Sequence, residues 1–542
     1  MKNVFKNFSI KKASVLRRAA LYGIVGVGLL GTVSCADFLE KDPTFIVKDN
    51  YYTTLSQADI ALTGIYSVLG NEYLYGSSLV YHLNMSDEAV WQRSAASTGP
   101  EVYVYDSSDQ SVRFVWKYLY EGIERANVFL SRIEQATFDD VRKTELIGEA
   151  KFLRAYYYFV LVTHFGEVPL KTLPTASVND VNIPKAKLAD LYSFISSEME
   201  AADAMVKPIT AYNHAGRVSK SAVRGILARV YLRMAGAPLN GGRPYYEKAA
   251  EWADKLVNPQ NGDFQHSLLD DYRQLFKDMA ADKYNTNESI WEVEFSGNRS
   301  VDFEGGRHGN IAGVQMTNDK ASLRGASGYS YGFLLGTNKL LSTYGPGNDR
   351  RRDWNIADYS ITITNDVETA RPSRAAASFN YNRFAGKFYR DFELVFDRHK
   401  NYTPINFPLL RYSDVLLMYA EAKTNLEEYN LAKSEVQKVV NRAQAIDSIG
   451  LGLVSDANLL AYIKRERFRE LAYEGLRKFD LVRWGEFQTT MANLAASINS
   501  SAPAAQKYTS FGPKNVTSRN TLLPIPVDEL SLNKAIVQNV GW

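Results

Sequence analysis

Cysteine is all but missing: the chain has one, Cys35, in 542 residues. A chain with a single cysteine has no internal disulfide framework, and in an oxidising envelope structural cysteines come in pairs. Past residue 34, no stretch is long and apolar enough to cross a bilayer. Histidine is scarce, at six residues, and none stands in a His-Glu-x-x-His pattern; a phosphate-loop motif is absent too. There is also no strong basic excess. Six basic residues, Lys2, Lys6, Lys11, Lys12, Arg17 and Arg18, lie in residues 1–34, which hold no Asp or Glu. Beyond them 57 basic residues face 60 acidic ones, a formal charge of −3. A nucleic-acid partner, which needs many phosphates neutralised, does not fit that balance.

What is present is ordinary globular composition with many rings. The chain is 45% hydrophobic and 23% charged, which permits a large core and excludes wholesale disorder. Its 34 Tyr, 26 Phe and 7 Trp supply both core and candidate binding faces.

The scarce cysteine has an informative place. A basic stretch to Arg18 is followed by the apolar run Ala19–Val33, then Ser34-Cys35. The run is too short and too glycine-rich for a membrane span and reads as a secretion signal. A lone cysteine directly behind it reads as a bacterial lipoprotein cleavage site, with the Cys35 thiol as the acylation point. Residues 1–34 are therefore expected to be a signal peptide and 35–50 a lipidated tether.

Helical periodicity dominates the chain beyond the tether. In "GEAKFLRAYYYFVLVTHFG", Ala150, Leu153, Tyr157, Val160 and His164 share a face, and a stop is expected near Gly166, ahead of Pro169. In "SKSAVRGILARVYLRMAG", Val223, Leu227, Val230 and Met234 form a stripe, with "YYEKAAEWADKLV" one turn further on. The pattern returns in "LLRYSDVLLMYAEAKTNL", "NLAKSEVQKVVNRAQAI" and a third helix, "NLLAYIKRERFRELAYEGLRKFDLVRWG". Pairs with small residues at the crossings are similar to degenerate tetratricopeptide hairpins. Residues 290–380 are different: Gly-, Asn-, Ser- and Tyr-rich, with "SIWEVEFSG" alternating like a strand and "HGNIAGVQM" and "GASGYSYGF" reading as loops. Trp116, Trp291, Trp484 and Trp542 are expected in the core. Arg154, Arg411 and Asp414, charged residues within apolar helices, are expected to be paired internally.

In order, "SCADFLEKDP", "YHLNMSDEAVW", "GEAKFLRAYYYFVLVTHFGEVPL", "GRVSKSAVRGILARVYLRMAG", "ESIWEVEF", "NFPLLRYSDVLLMYAEA", "RERFRELAYEGLRKFDLVRWG", "LLPIP" and "QNVGW" resemble the SusD/RagB family over essentially the whole mature length. The resemblance implies a mostly α fold: a SusD-like helical scaffold of four tetratricopeptide-like helix pairs carrying a long irregular loop-rich region. It implies one domain over 51–542, with an N-terminal helical part at 51–289, the excursion at 290–400 and a C-terminal part at 401–542. It also implies a lipid-anchored outer-membrane protein facing the exterior, which binds a glycan and delivers it to a SusC-like TonB-dependent barrel transporter. Some relatives are associated with peptides, so a peptide importer is the alternative.

A secreted glycosidase would need two carboxylates across a sugar bond. Glu292 and Glu294 are about 6–7 Å apart by strand geometry, a spacing too common to be diagnostic. Glu466, Glu470 and Glu474 read as a salt-bridged helix face. No catalytic residue, metal or cofactor is expected. Sugars need rings to stack on and polar partners for their hydroxyls. Two regions supply both outside the helix stripes: one with Trp91, Arg93 and Tyr103, the other with Asn298, Arg299, Phe303, Tyr329 and Tyr331. In the family, loops at these places in chain order build the ligand site.

Overall fold

A computed structural model describes residues 52–177, 181–262, 264–299, 303–316, 328–345, 347, 349–364, 367–372, 381–394, 398–444 and 451–542. Cys35, the signal and the tether lie outside the described residues.

The expected helices form where local signals put them. α1 (Leu55–Tyr66) starts with a capping box from Thr54 and Gln57. The Asp109 carboxylate caps α2 (Gln110–Arg132) by accepting from the Ser111 and Val112 amides. From Gly148 onward α3 (Asp140–Phe165) is buried on every side except at Lys151, and it stops at Gly166, whose φ is +73°. α4 (Leu188–Met205) packs on it. α5 (Lys220–Ala235) is capped by Ser219 and turns directly into α6 (Arg243–Val257). α7 (Tyr272–Ala280) precedes the excursion. α8 (Tyr412–Asn425) and α9 (Tyr429–Ala443) make the second tight pair. The scaffold runs continuously: α2 on α3, α3 on α4, α4 on α5, α5 on α6, α6 on α8, and α8 on α9 and on the next helix, α10 (Asp456–Glu470).

The structure departs from two of the expected helices. "LLR" ahead of α8 is not helical: it closes β8 (Phe407–Arg411), which pairs antiparallel with β2 (Ser289–Val293). The third C-terminal helix is two, α10 and α11 (Arg477–Arg483). The break contains Tyr473 and Gly475 at φ +64° and +72°, a left-handed conformation that no helix interior holds. Last of the long helices is α12 (Phe487–Ser501).

That break positions a buried ion network. Glu466, Glu470 and Glu474 do not form a surface face; all three are buried, with Glu466 and Glu470 fully so. Arg351 reaches Glu470 at 3.0 Å, Arg411 reaches Glu474 at 2.8 Å and Glu288 at 3.2 Å, and Arg442 reaches Glu288 at 2.8 Å. Lys387, at φ +66°, joins through Glu474. Buried charge is tolerated only when paired this closely, so the network ties α9, α10, β8 and the excursion to one point. Arg154 pairs with Glu198, and Asp414 with Arg229 and Arg467, as expected. Trp116 and Trp291 are core residues, whereas Trp484 and Trp542 are only half-buried.

The excursion contains more strand than its composition suggests. β1 (Ala89–Trp91), β3 (Leu334–Gly336), β7 (Arg383–Ala385) and β4 (Ile356–Ala357) form a four-stranded antiparallel sheet in the order β1-β3-β7-β4. β5 (Tyr359–Thr364) and β6 (Val367–Pro372) form a separate hairpin.

Candidate functional site

The sheet joins the two regions the sequence singled out. β1 and β3 pair with Trp91 opposite Leu334, and the Gln92 amide donates to the Phe333 carbonyl at 2.8 Å. Trp91 then stacks on Phe333 with centroids 4.9 Å apart, and the Arg93 guanidinium lies 4.7 Å over the same ring. Phe333 stacks in turn on Tyr331 at 4.8 Å and 8°, and Tyr331 meets Tyr329 edge-on at 4.9 Å. Tyr329, Tyr331 and Phe333 stand two residues apart and their rings touch one after the other in a single row. Gly332 makes this possible: its φ is +58°, and a Cβ there would meet the Phe384 ring at 2.8 Å.

A second segment lies alongside. Buried Asn310 donates through Nδ2 to the Tyr329 carbonyl at 3.1 Å and the Lys400 carbonyl at 3.0 Å. Buried Arg390 donates to the Tyr329 and His399 carbonyls and is fixed by Glu393. Along the segment, Lys400 Nζ sits 4.8 Å over Tyr329, the Tyr331 hydroxyl donates to Asn401 Oδ1 at 3.2 Å, and Tyr402 accepts from Arg299 at 2.6 Å.

The expected site residues divide accordingly. Trp91, Arg93, Tyr329 and Tyr331 converge on the stack. Asn298 and Arg299 are exposed on a neighbouring loop, where Arg299 faces Tyr402 and Glu72, the latter at 3.4 Å. Phe303 belongs to a different cluster, edge-on to Tyr118 and under Arg125. Tyr103 is only 3% exposed, with its hydroxyl donating to the Met85 carbonyl and its ring beside Phe487; the loop reading of that ring is corrected to core. Tyr329 is also buried, at 7%, because Asn310 and Arg390 draw its backbone inward. Phe333, Asn310, Arg390, Asn401 and Tyr402 were not singled out. For Phe333 the signal was the period-two run Tyr-x-Tyr-x-Phe; the others lie in segments with no such pattern.

A cavity of about 250 Å³ opens beside the stack, walled by Trp91, Arg93, Tyr103, Glu101, Tyr508 and Phe511. Its volume is roughly that of eight waters. Nearby His82 packs against Trp91 at 5.2 Å, and burial, with Arg307 adding, pushes it down to about 4, so it is neutral at physiological pH. The surroundings therefore offer ring surface, hydroxyl and guanidinium donors and carbonyl acceptors.

The candidate catalytic groups lie apart. Gly328–Gly332 has Gly-x-Ser-x-Gly spacing, but it forms no strand-to-helix elbow. Ser330 is buried and donates to the Asn310 carbonyl. Glu292 is buried and pushed up to about 8 by burial and by Glu294, while Glu294 points out and pairs with His214 at 2.9 Å. Among the described residues no His, Cys, Asp and Glu cluster could hold a metal ion, and no helix is long and apolar enough to cross a membrane.

Comparison with known proteins places this geometry. A model described as the SusD family matches residues 287–542, and one described as starch-binding, associating with outer membrane, matches 37–232. The SusD-like protein P2 of Formosa agariphila is 23% identical over 94% of this chain and 97% of its own length. The starch-binding protein SusD of Bacteroides thetaiotaomicron is 24% identical over 84% of each chain. Among solved structures, a SusD homolog from Bacteroides thetaiotaomicron superposes with a TM-score of 0.83 at 26% identity, over 91% of this chain and 98% of that one. A laminarin-binding SusD-like protein reaches 0.69 at 24% identity, over 91% of this chain and all of the other, a likeness of fold.

Proposed function

The chain belongs to the SusD family, and from that premise we propose that it captures a glycan at the outer surface of the cell and passes it to a partner TonB-dependent barrel. The observation that carries the reading is the β1–β3 pairing, which sets Trp91, Arg93, Phe333 and Tyr331 in one aromatic row beside a sugar-sized cavity. Partly exposed rings stack on the C–H faces of sugars, while Arg93, Asn401 and backbone carbonyls meet hydroxyls. Relatives named for binding starch and laminarin support a glycan over a peptide.

Asn298, Arg299 and Tyr402 extend the same surface along the loop that flanks the row. We read the role as binding and not hydrolysis: the Glu292–Glu294 pair is split between core and surface. Cys35 carries the lipid that holds the protein to the outer membrane, through acyl chains worth roughly 0.8 kcal/mol per buried CH₂. Residues 1–34 are the cleaved signal, 35–50 the tether and 51–542 one binding domain.

A glycan array probed with the isolated full chain tests the reading. Retention of one glycan class, weakened about tenfold in Trp91→Ala, is expected. Retention of peptides with no glycan binding refutes it. Co-purification with a TonB-dependent barrel tests the delivery step.

A further inference from the structure

Away from the aromatic row, a cavity of about 80 Å³ lies between α3 and α5, bordered by β8, α8 and the residues around α11. Its wall is rich in guanidinium groups: Arg229, Arg233, Arg467 and Arg483 all line it. Three are neutralised. Arg229 and Arg467 share Asp414 at 2.6 and 2.7 Å; Arg467 and Arg483 share Asp480, each at 2.8 Å; and Arg483 also pairs with Glu421. Glu474, also on the wall, is committed to Arg411 and Lys387.

Arg233 is the exception. It is 3% exposed and forms no ion pair among the described residues; Asp480 acts on it only from beyond its own pairs with Arg467 and Arg483. Its one backbone contact is a long 3.4 Å hydrogen bond to the Phe479 carbonyl, and its polar side-chain neighbour is the neutral Tyr192. Four guanidinium groups thus face three carboxylates, Asp414, Glu421 and Asp480. Arginine cannot shed its charge. A buried lone cation is costly, and the cost is normally met by an opposite charge.

The unpaired groups on this wall are donors. Nε of Arg229 and Nε of Arg233 are buried without a hydrogen-bond partner, and Oγ1 of Thr163 lies beside the Tyr192 hydroxyl on the same wall. The volume corresponds to two or three waters at about 30 Å³ each, room for a halide but not for a sugar.

We infer that this cavity binds one small monovalent anion of chloride size, held by the Arg233 guanidinium with Thr163 and Arg229. The anion completes the charge balance of the core where α3, α5, α8 and α11 meet. It is independent of the glycan site.

The test is thermal unfolding of the full chain at fixed ionic strength, with sodium chloride replacing sodium gluconate, whose anion is too large for the cavity. Above its dissociation constant, chloride raises the wild-type midpoint by about 1–2 °C per tenfold increase. Arg233→Gln abolishes the dependence. A crystal of the wild-type protein grown in bromide gives an anomalous peak beside the Arg233 guanidinium, a readout that survives even if the variant fails to fold. A midpoint indifferent to chloride, or a bromide crystal without that peak, overturns the proposal and leaves the cavity holding water only.

Discussion

Trp91 and Phe333 stack at 4.9 Å with their planes 26° apart, each half-buried, although the helical scaffold from α2 to α7 separates them in sequence. Phe333 is also flanked by Tyr331 and Arg93, so little of its own ring is left for a ligand. Trp91 and Tyr331 stand on either side of it.

That arrangement sets different expectations for neighbouring rings. Trp91→Ala and Tyr331→Ala each lose one stacking surface and weaken glycan binding about tenfold, equivalent to roughly 1.4 kcal/mol. Tyr329→Ala, at a buried position, lowers the melting midpoint instead. Leu227→Ala, at a fully buried scaffold position, costs about 2–5 kcal/mol and leaves affinity unchanged. Calorimetric titration and melting curves on the same preparations separate the cases. A Trp91→Ala midpoint as low as that of Leu227→Ala would place the ring in the core.

The buried ion network predicts an asymmetry between core and surface changes. Arg411→Met takes one cation from Glu474, Glu470 and Glu288 at once, leaving Lys387, Arg351 and Arg442 to offset three buried carboxylates, and is expected to destabilise by about 3–5 kcal/mol. Arg113→Met breaks only a surface pair with Asp528 and changes stability by less than about 1 kcal/mol. Chemical denaturation midpoints of the two variants should differ accordingly.

Glu292 links stability to pH. Burial, with Glu294 adding, raises its folded value from 4.5 to about 8, so the folded state holds a proton that the unfolded chain has released. The associated stability is fully present below pH 4.5 and is lost as pH rises through 8, at up to about 1.4 kcal/mol per unit. Glu292→Gln removes the dependence. Its stability relative to wild type should therefore rise steadily between about pH 5 and 8, measured by urea denaturation. A flat difference would mean that Glu292 is ionised in the fold.

Anchoring rests on Cys35. Cys35→Ala is expected to abolish palmitate labelling and to release the protein from the membrane fraction. Labelling that persists in the variant would remove the lipoprotein reading.

Much of the scaffold was legible along the chain because helices are local. Stripes such as Val223–Leu227–Val230, the Ser219 cap and the Gly166 stop act within a few residues of themselves, so α3, α5, α6, α8 and α9 could be placed from sequence. The two regions that meet at the aromatic row could also be picked out, by composition and by family order. The sequence could not show which rings in those regions face one another. Tyr103 and Trp91 look equivalent on paper; a donor contact to the Met85 carbonyl buries one, and a strand pairing across the fold sets the other against Phe333. Likewise, nothing local separates a helix face of Glu466, Glu470 and Glu474 in water from one in the core. That was decided by Arg351, Arg411, Arg442 and Lys387, brought from four other segments. Periodicity reports only which side of an element is apolar; the partners that charge and aromatic stacking require come from distant parts of the chain, and only the tertiary structure supplies them.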